Sequence, residues 1–218
     1  MDTPSGPPVE LLQRVDDAQR RFDDAIAGLD DVAIGRSSDL PGWTVGHVLT
    51  HVARNADSHV RRADGATRGE VVEQYPGGYP GREDEIERGA RRRAHAVIAD
   101  VRESAERLRR RWRALPDQAW SATTRDVGGR ERPLRELPAR RWQELEVHVV
   151  DLGAGVGYRD WPDAFVAVWL PLLRASLAAR LPAGVEPPKA RDLDARTELA
   201  WLYGRVRRDD LPELLPWA

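Results

Sequence analysis

RWQELEVHVVDLG, residues 141–153, reads as the closing turns of an amphipathic helix whose inner face carries chemistry as well as packing. Leu145 and Leu152 keep helical spacing on one side, and Gly153 ends the run. Residues four apart on a helix lie one above the other, so Glu144 and His148 offer a carboxylate and an imidazole to the same point. Glu146, turned about 160° from His148, is expected to face outward. Far upstream, PGWTVGHVLTHVARNAD (41–57) reads as a second such helix, capped by Thr44. Val45, Val48, Leu49, Val52 and Ala56 form its apolar stripe, and His51 lies on the border of that stripe near Asn55.

If packing brings the two helices together, His51, Glu144 and His148 give three protein ligands and no obvious fourth. That pattern suits a catalytic divalent metal with a position left open. Two imidazoles and a carboxylate suit zinc, with nickel or ferrous iron as alternatives. Asp151, one turn beyond His148, is placed to accept its second imidazole N–H, and Asn55 to serve His51 in a similar way. The periodicity alone also fits a plain surface ion pair, the commoner meaning of a carboxylate and a histidine four apart. His47 reads as a capping or solvent-facing histidine, His59 and His95 as ordinary helix-face residues.

Working outward, Leu11, Val15, Ala18, Phe22, Ala25 and Leu29 mark a first helix beginning near Pro8. The second is expected from Thr44 to about Arg62, followed by a long loop (63–81) containing EQYPGGYPG. A third, over 82–115, keeps Ile86, Ala90, Ala94, Val97, Val101, Leu108 and Trp112 in register until Pro116 closes it. Residues 117–132 are expected to hold a turn at GGR and a short extended piece, and the fourth helix runs from about Pro133 to Leu152. Four long amphipathic helices predict an all-α protein built on a four-helix bundle over 1–152. Residues 153–218 form a short, mainly helical extension. It has a fifth helix over 161–181 kinked at Pro171, a Pro-rich linker, a sixth helix ending at Tyr203-Gly204, and a tail packing back through Leu211, Leu214 and Trp217.

The chain has 218 residues, of which 32% are charged and 41% hydrophobic, and a net charge of -2. Near-neutrality gives no electrostatic reason to expect nucleic acid, since acids interleave the arginines of RRRAHAVIADVRESAERLRRRW. No cysteine is present, so thiolate metal sites and a cysteine nucleophile are excluded. The first residues do not read as a signal peptide and no apolar run reaches membrane-spanning length, so a cytoplasmic protein is expected. A monomer or a dimer is expected.

LPGWTVGHVLTHVARNAD (40–57) and RWQELEVHVVDLG (141–153) resemble the two signature segments of the mycothiol-dependent maleylpyruvate isomerase family, within the DinB-like metal-binding superfamily. YPGGYPGREDEIE lies between them in the expected place, and TELAWLYGR resembles the family's C-terminal segment. The resemblance implies a DinB-like bundle holding Zn2+ through His51, Glu144 and His148. It also implies that the open position takes the sulfur of a low-molecular-weight thiol, mycothiol. An isomerase of this type adds thiolate to the cis double bond of maleylpyruvate, permits rotation and expels the thiolate; a mycothiol S-transferase keeps the new carbon–sulfur bond. A non-catalytic metal-binding bundle is the remaining alternative. By the same resemblance Arg205, in WLYGR, is the candidate catalytic arginine for a substrate carboxylate, with Arg82 at the loop exit a second candidate for an anionic substrate. The C-terminal region looks shortened against the family, which bears on the substrate more than on metal or thiol.

Overall fold

Apolar residues at every third or fourth position make helices, and the helices pack to hide those stripes. The computed structural model describes residues 6–188 and 193–215 and divides into two compact units, Met1–Ala154 and Gly155–Ala218. The first contains α1 (Val9–Ile26), α2 (Asp31–Gly35), α3 (Val45–Arg68), α4 (Gly78–Ala90), α5 (Ala94–Arg113) and α6 (Leu137–Asp151). The four longest of these, α1, α3, α5 and α6, form the expected bundle: α3 packs on α5 and α6, and α1 on α6 and α5. Phe22, Ile26, Val48, Leu49, Val52, Val97, Val101, Leu108, Leu137, Trp142 and Leu145 are all buried in it. The all-α expectation holds, with one small exception. Between α5 and α6 the chain makes a two-stranded antiparallel hairpin, β1 (Thr123–Arg125) and β2 (Glu131–Pro133), with Thr124 opposite Arg132.

Thr44 starts α3 as expected. Its side chain accepts from the His47 backbone N–H, and Thr44 N–H donates back to His47 Nδ1 at 3.2 Å. His47 is therefore a capping residue, with its Nε2 3.2 Å from Glu87. α3 runs past Arg62 to Arg68 and stops at Gly69, whose φ of 71° is left-handed. The long loop correspondingly shrinks to residues 69–77.

The expected single third helix is two. Periodicity continues across the join, but Arg93 is extended (φ -64°, ψ 151°), and Asp31 caps α5 from across the fold. Its carboxylate accepts from Ala94 N–H at 2.7 Å and from Arg93 Nη1 at 2.6 Å. The break lets α4 leave the line of α5 and cross α3 closely. A Cβ at Gly89 would stand 2.2 Å from Thr50 Cγ2, and one at Gly46 would stand 2.8 Å from the Ala90 carbonyl oxygen. The arginine-rich outer face of α5 is paired, with Arg107 on Asp57, Arg111 on Asp64 and Arg113 on Asp16.

The second unit holds α7 (Asp163–Ala175, containing Pro171), α8 (Leu177–Arg180) and α9 (Ala195–Leu202). The expected fifth helix thus divides at Ser176. Trp161, Phe165, Trp169 and Tyr203 make an aromatic core, with Phe165 and Tyr203 stacked at 6.2 Å. In the tail, Leu211 and Leu214 are half-buried and Pro212 O accepts from Trp201 Nε1; Trp217 lies outside the described residues. No helix among the described residues is long and apolar enough to cross a membrane.

Replacing a helical glycine by alanine ordinarily stabilises a helix by about 1 kcal/mol. Gly89→Ala is expected to do the opposite, destabilising by about 1–3 kcal/mol through overpacking against Thr50. Gly35→Ala, where nothing lies within 4 Å, is the control. Urea denaturation of the two variants checks the sign; a gain in stability for Gly89→Ala would contradict the close crossing.

Candidate metal centre

His51 projects from the middle of α3, and Glu144 and His148 from successive turns of α6. Their ligand atoms meet. His51 Nε2 stands 2.9 Å from Glu144 Oε2 and 3.1 Å from His148 Nε2, and His148 Nε2 is 3.3 Å from the same Glu144 oxygen. A tetrahedral cation with bonds of about 2.0–2.1 Å spaces its ligand atoms by about 3.3–3.4 Å. The triangle is that size or slightly smaller, so the three residues fit one divalent ion. The His51 side chain is only 6% exposed and that of Glu144 30%, which leaves the centre one open side.

The electrostatics of the trio are unequal. Burial pushes His51 down to about 4, against hydrogen bonding to Glu144. Burial also disfavours the charge on Glu144, but hydrogen bonds to His148 and His51 outweigh it and hold the carboxyl well below its usual range. Burial acts to lower His148 too, yet hydrogen bonds to Asp151 and Glu144 win and raise it. Asp151 sits where the sequence predicts, its Oδ2 2.8 Å from His148 Nδ1. That bond directs His148 Nε2 at the centre and fixes the ring.

Asn55 does not serve His51 in the same way. Its Oδ1 accepts from Arg141 Nη1 at 3.0 Å, and the neighbour of His51 Nδ1 is Arg82 Nη2, at 3.0 Å. One turn of helix points Asn55 across the bundle instead of back along α3. The Arg82 guanidinium lies 5.9 Å over the Trp43 ring and 5.8 Å over Tyr75, and Trp43 also meets the His51 ring edge-on at 5.6 Å. Arg82 is thus beside the trio. Arg205 belongs to the second unit, where its Nη1 donates to Tyr203 O at 2.6 Å. Glu146 does not face water: it is buried against α1, paired with Arg21 and accepting from Trp142 Nε1 at 3.1 Å. The face of α6 opposite the trio is covered by a helix, not by solvent. His59 is also buried, edge-on to Trp112 at 5.6 Å, while His95 is exposed.

Sequence reading missed Trp43, Tyr75 and Arg141. Arg141 was findable: at three and seven residues before Glu144 and His148, it shares their face. Tyr75 was not. It is buried inside a loop whose course depends on the hairpin, where Val127 N–H donates to Gln74 Oε1 at 2.9 Å.

A model of the mycothiol maleylpyruvate isomerase N-terminal domain family matches residues 15–153. No curated protein matches the chain. Among solved structures, the crystal structure of a mycothiol-dependent maleylpyruvate isomerase superposes with a TM-score of 0.83 at 24% identity, covering 94% of this chain and 93% of that one. A histidine-to-alanine mutant of that enzyme superposes equally, at 23% identity. At such identities the likeness establishes the fold.

Two depressed histidines give the metal-free protein an acid sensitivity. Burial holds His59 well below 6.5 and His51 near 4, so between about pH 6.5 and 4 the unfolded chain binds protons that these residues refuse when folded. Stability from both falls as pH falls through that window; the raised His148 contributes in the opposite sense. His59→Phe is expected to flatten the decline, read as urea midpoints from pH 7 to 4.5. A parallel decline in the variant would contradict a neutral buried His59.

Proposed function

This chain belongs to the mycothiol maleylpyruvate isomerase N-terminal domain family, and we propose that it is an enzyme built around a divalent cation held by His51, Glu144 and His148. The donor set favours zinc. The co-reactant is the thiol of mycothiol, and the substrate an electrophile with a conjugated cis double bond, maleylpyruvate first among them. The observation that supports this reading is the triangle of 2.9, 3.1 and 3.3 Å between ligand atoms from two helices. When bound, the cation would lower the pKa of a coordinated thiol and supply a thiolate for reversible addition to the double bond. The chain has no cysteine, so the sulfur comes from outside it.

The remaining roles fall to the protein's own side chains. Ionised Glu144 offsets one charge of the cation, and Asp151 holds the His148 ring. His51 ligating through Nε2 keeps its proton on Nδ1. A guanidinium only donates, so Arg82 cannot remain bonded to that atom. Held over the Trp43 and Tyr75 rings, its planar fork would then be free to take a substrate carboxylate. Arg205 remains the arginine that the family resemblance implies for a substrate carboxylate. On this reading the partners are small molecules, a thiol and an electrophile, met in the cytoplasm.

Metal analysis tests the centre directly. The purified protein is expected to carry one ion per chain, on the order of a tetrahedral zinc site, and His51→Ala, Glu144→Ala and His148→Ala to carry none. Incubation with mycothiol and maleylpyruvate is expected to give turnover without net thiol loss. A stable thioether with monochlorobimane, and no isomerisation, would make the chain an S-transferase instead. A cobalt-substituted protein whose spectrum ignores added thiol would make it a non-catalytic metal-binding bundle. Asp151→Asn is expected to weaken metal binding by about 10–100-fold, read by competition with a chelator.

A further inference from the structure

Arg141 stands one turn before Glu144 on α6 and is 0% exposed. Its side chain leaves α6 and ends on the other ligand-bearing helix. Nη1 donates to the Val52 carbonyl at 2.7 Å and to Asn55 Oδ1 at 3.0 Å, both on α3, while Nη2 donates to Gln19 Oε1 on α1 at 3.1 Å. All three acceptors are neutral. Burial depresses the guanidinium to about 10, a sign of what it costs to keep the charge there. Replacing buried ionic groups by apolar ones of similar volume is often neutral or stabilising. Stability of the bundle therefore gives a poor reason for an arginine at this position.

Position gives a better one. Val52 is the residue after His51, and Asn55 is one turn beyond it; Glu144 and His148 follow Arg141 at three and seven residues on one face. The two Nη1 bonds thus join α3 and α6 beside the trio. One residue of slip between helices is about 1.5 Å. A displacement of that size would open a triangle of 2.9–3.3 Å beyond the reach of a single ion. Apolar burial between bundle helices is non-directional. A donor fixed on a backbone carbonyl and an amide oxygen resists sliding by geometry.

We propose that Arg141 is a positioning residue for the metal centre, a clamp that sets the register of α3 against α6 so that His51 meets Glu144 and His148. The proposal rests on the metal reading above. Arg141→Met tests it, since methionine fills much of the volume without the donors. Chelator competition is expected to show metal affinity weaker by about 10–100-fold, as for other groups that orient ligands, and the visible spectrum of the cobalt form to change. Gln19→Met is the control: the same guanidinium loses its bond to α1, a helix without ligands, and metal affinity stays at the wild-type value. Wild-type affinity and spectrum in Arg141→Met would overturn the clamp, as would an equal loss in Gln19→Met. If Arg141→Met does not fold, Asn55→Ala decides. Weakened affinity relative to Gln19→Met supports the clamp, and unchanged affinity overturns it. Wild-type protein that takes up no metal would overturn the metal reading, and the clamp with it.

Discussion

Two helices of this bundle bury polar stripes where a bundle ordinarily buries leucine, and the stripes meet at the trio. On α3 the stripe is His51, Asn55, Ser58 and Arg62; on α6 it is Arg141, Glu144, His148 and Asp151. Taken alone, either would be expensive, because a desolvated ionisable group without a partner costs several kcal/mol. Facing each other they close Arg141 on Asn55 and His51 on Glu144 and His148, while Asp151 holds His148 from within α6. The apolar residues flanking both stripes hold the helices together, and the polar contacts add directional constraints on their register.

The same burial makes the three neighbouring side chains of the trio unlike one another. His51 has no anion behind its Nδ1, only the Arg82 guanidinium, so desolvation keeps it neutral. His148 has Asp151 behind it and Glu144 beside it, and holds a proton more readily. Glu144, between two imidazoles, stays ionised in spite of its surroundings. His51 is neutral and Glu144 ionised, the charges a divalent cation would need of them, but with Arg82 at Nδ1 the His51 proton sits on Nε2 and would have to move to Nδ1 on ligation. Paired carboxylates and imidazoles thus set the charge of the trio.

Around the trio lies a second layer that comes from elsewhere in the chain. Trp43 precedes α3, Tyr75 comes from the 69–77 loop, and Arg82 lies on α4. Their meeting depends on the break before α5, which frees α4 to cross α3 over Gly89 and Gly46, and on the hairpin that pins the loop through Gln74. None of these devices touches the trio, yet together they decide what stands beside it.

The sequence by itself determined the helices of the bundle, because apolar spacing is a local property that survives any arrangement. It also determined the pairing of Glu144 with His148 and of His148 with Asp151, which are fixed by one helix's own geometry. Contacts between helices were beyond it. That His51 closes on that pair, that Asn55 turns to Arg141, that Glu146 is buried against Arg21, and that Arg82 stacks beside His51 all follow from how α1, α3, α4 and α6 pack. So does the break between α4 and α5, where the apolar rhythm runs on unbroken and a distant carboxylate, Asp31, ends the helix. A periodic pattern shows which face of a helix is inward; only packing decides what that face meets.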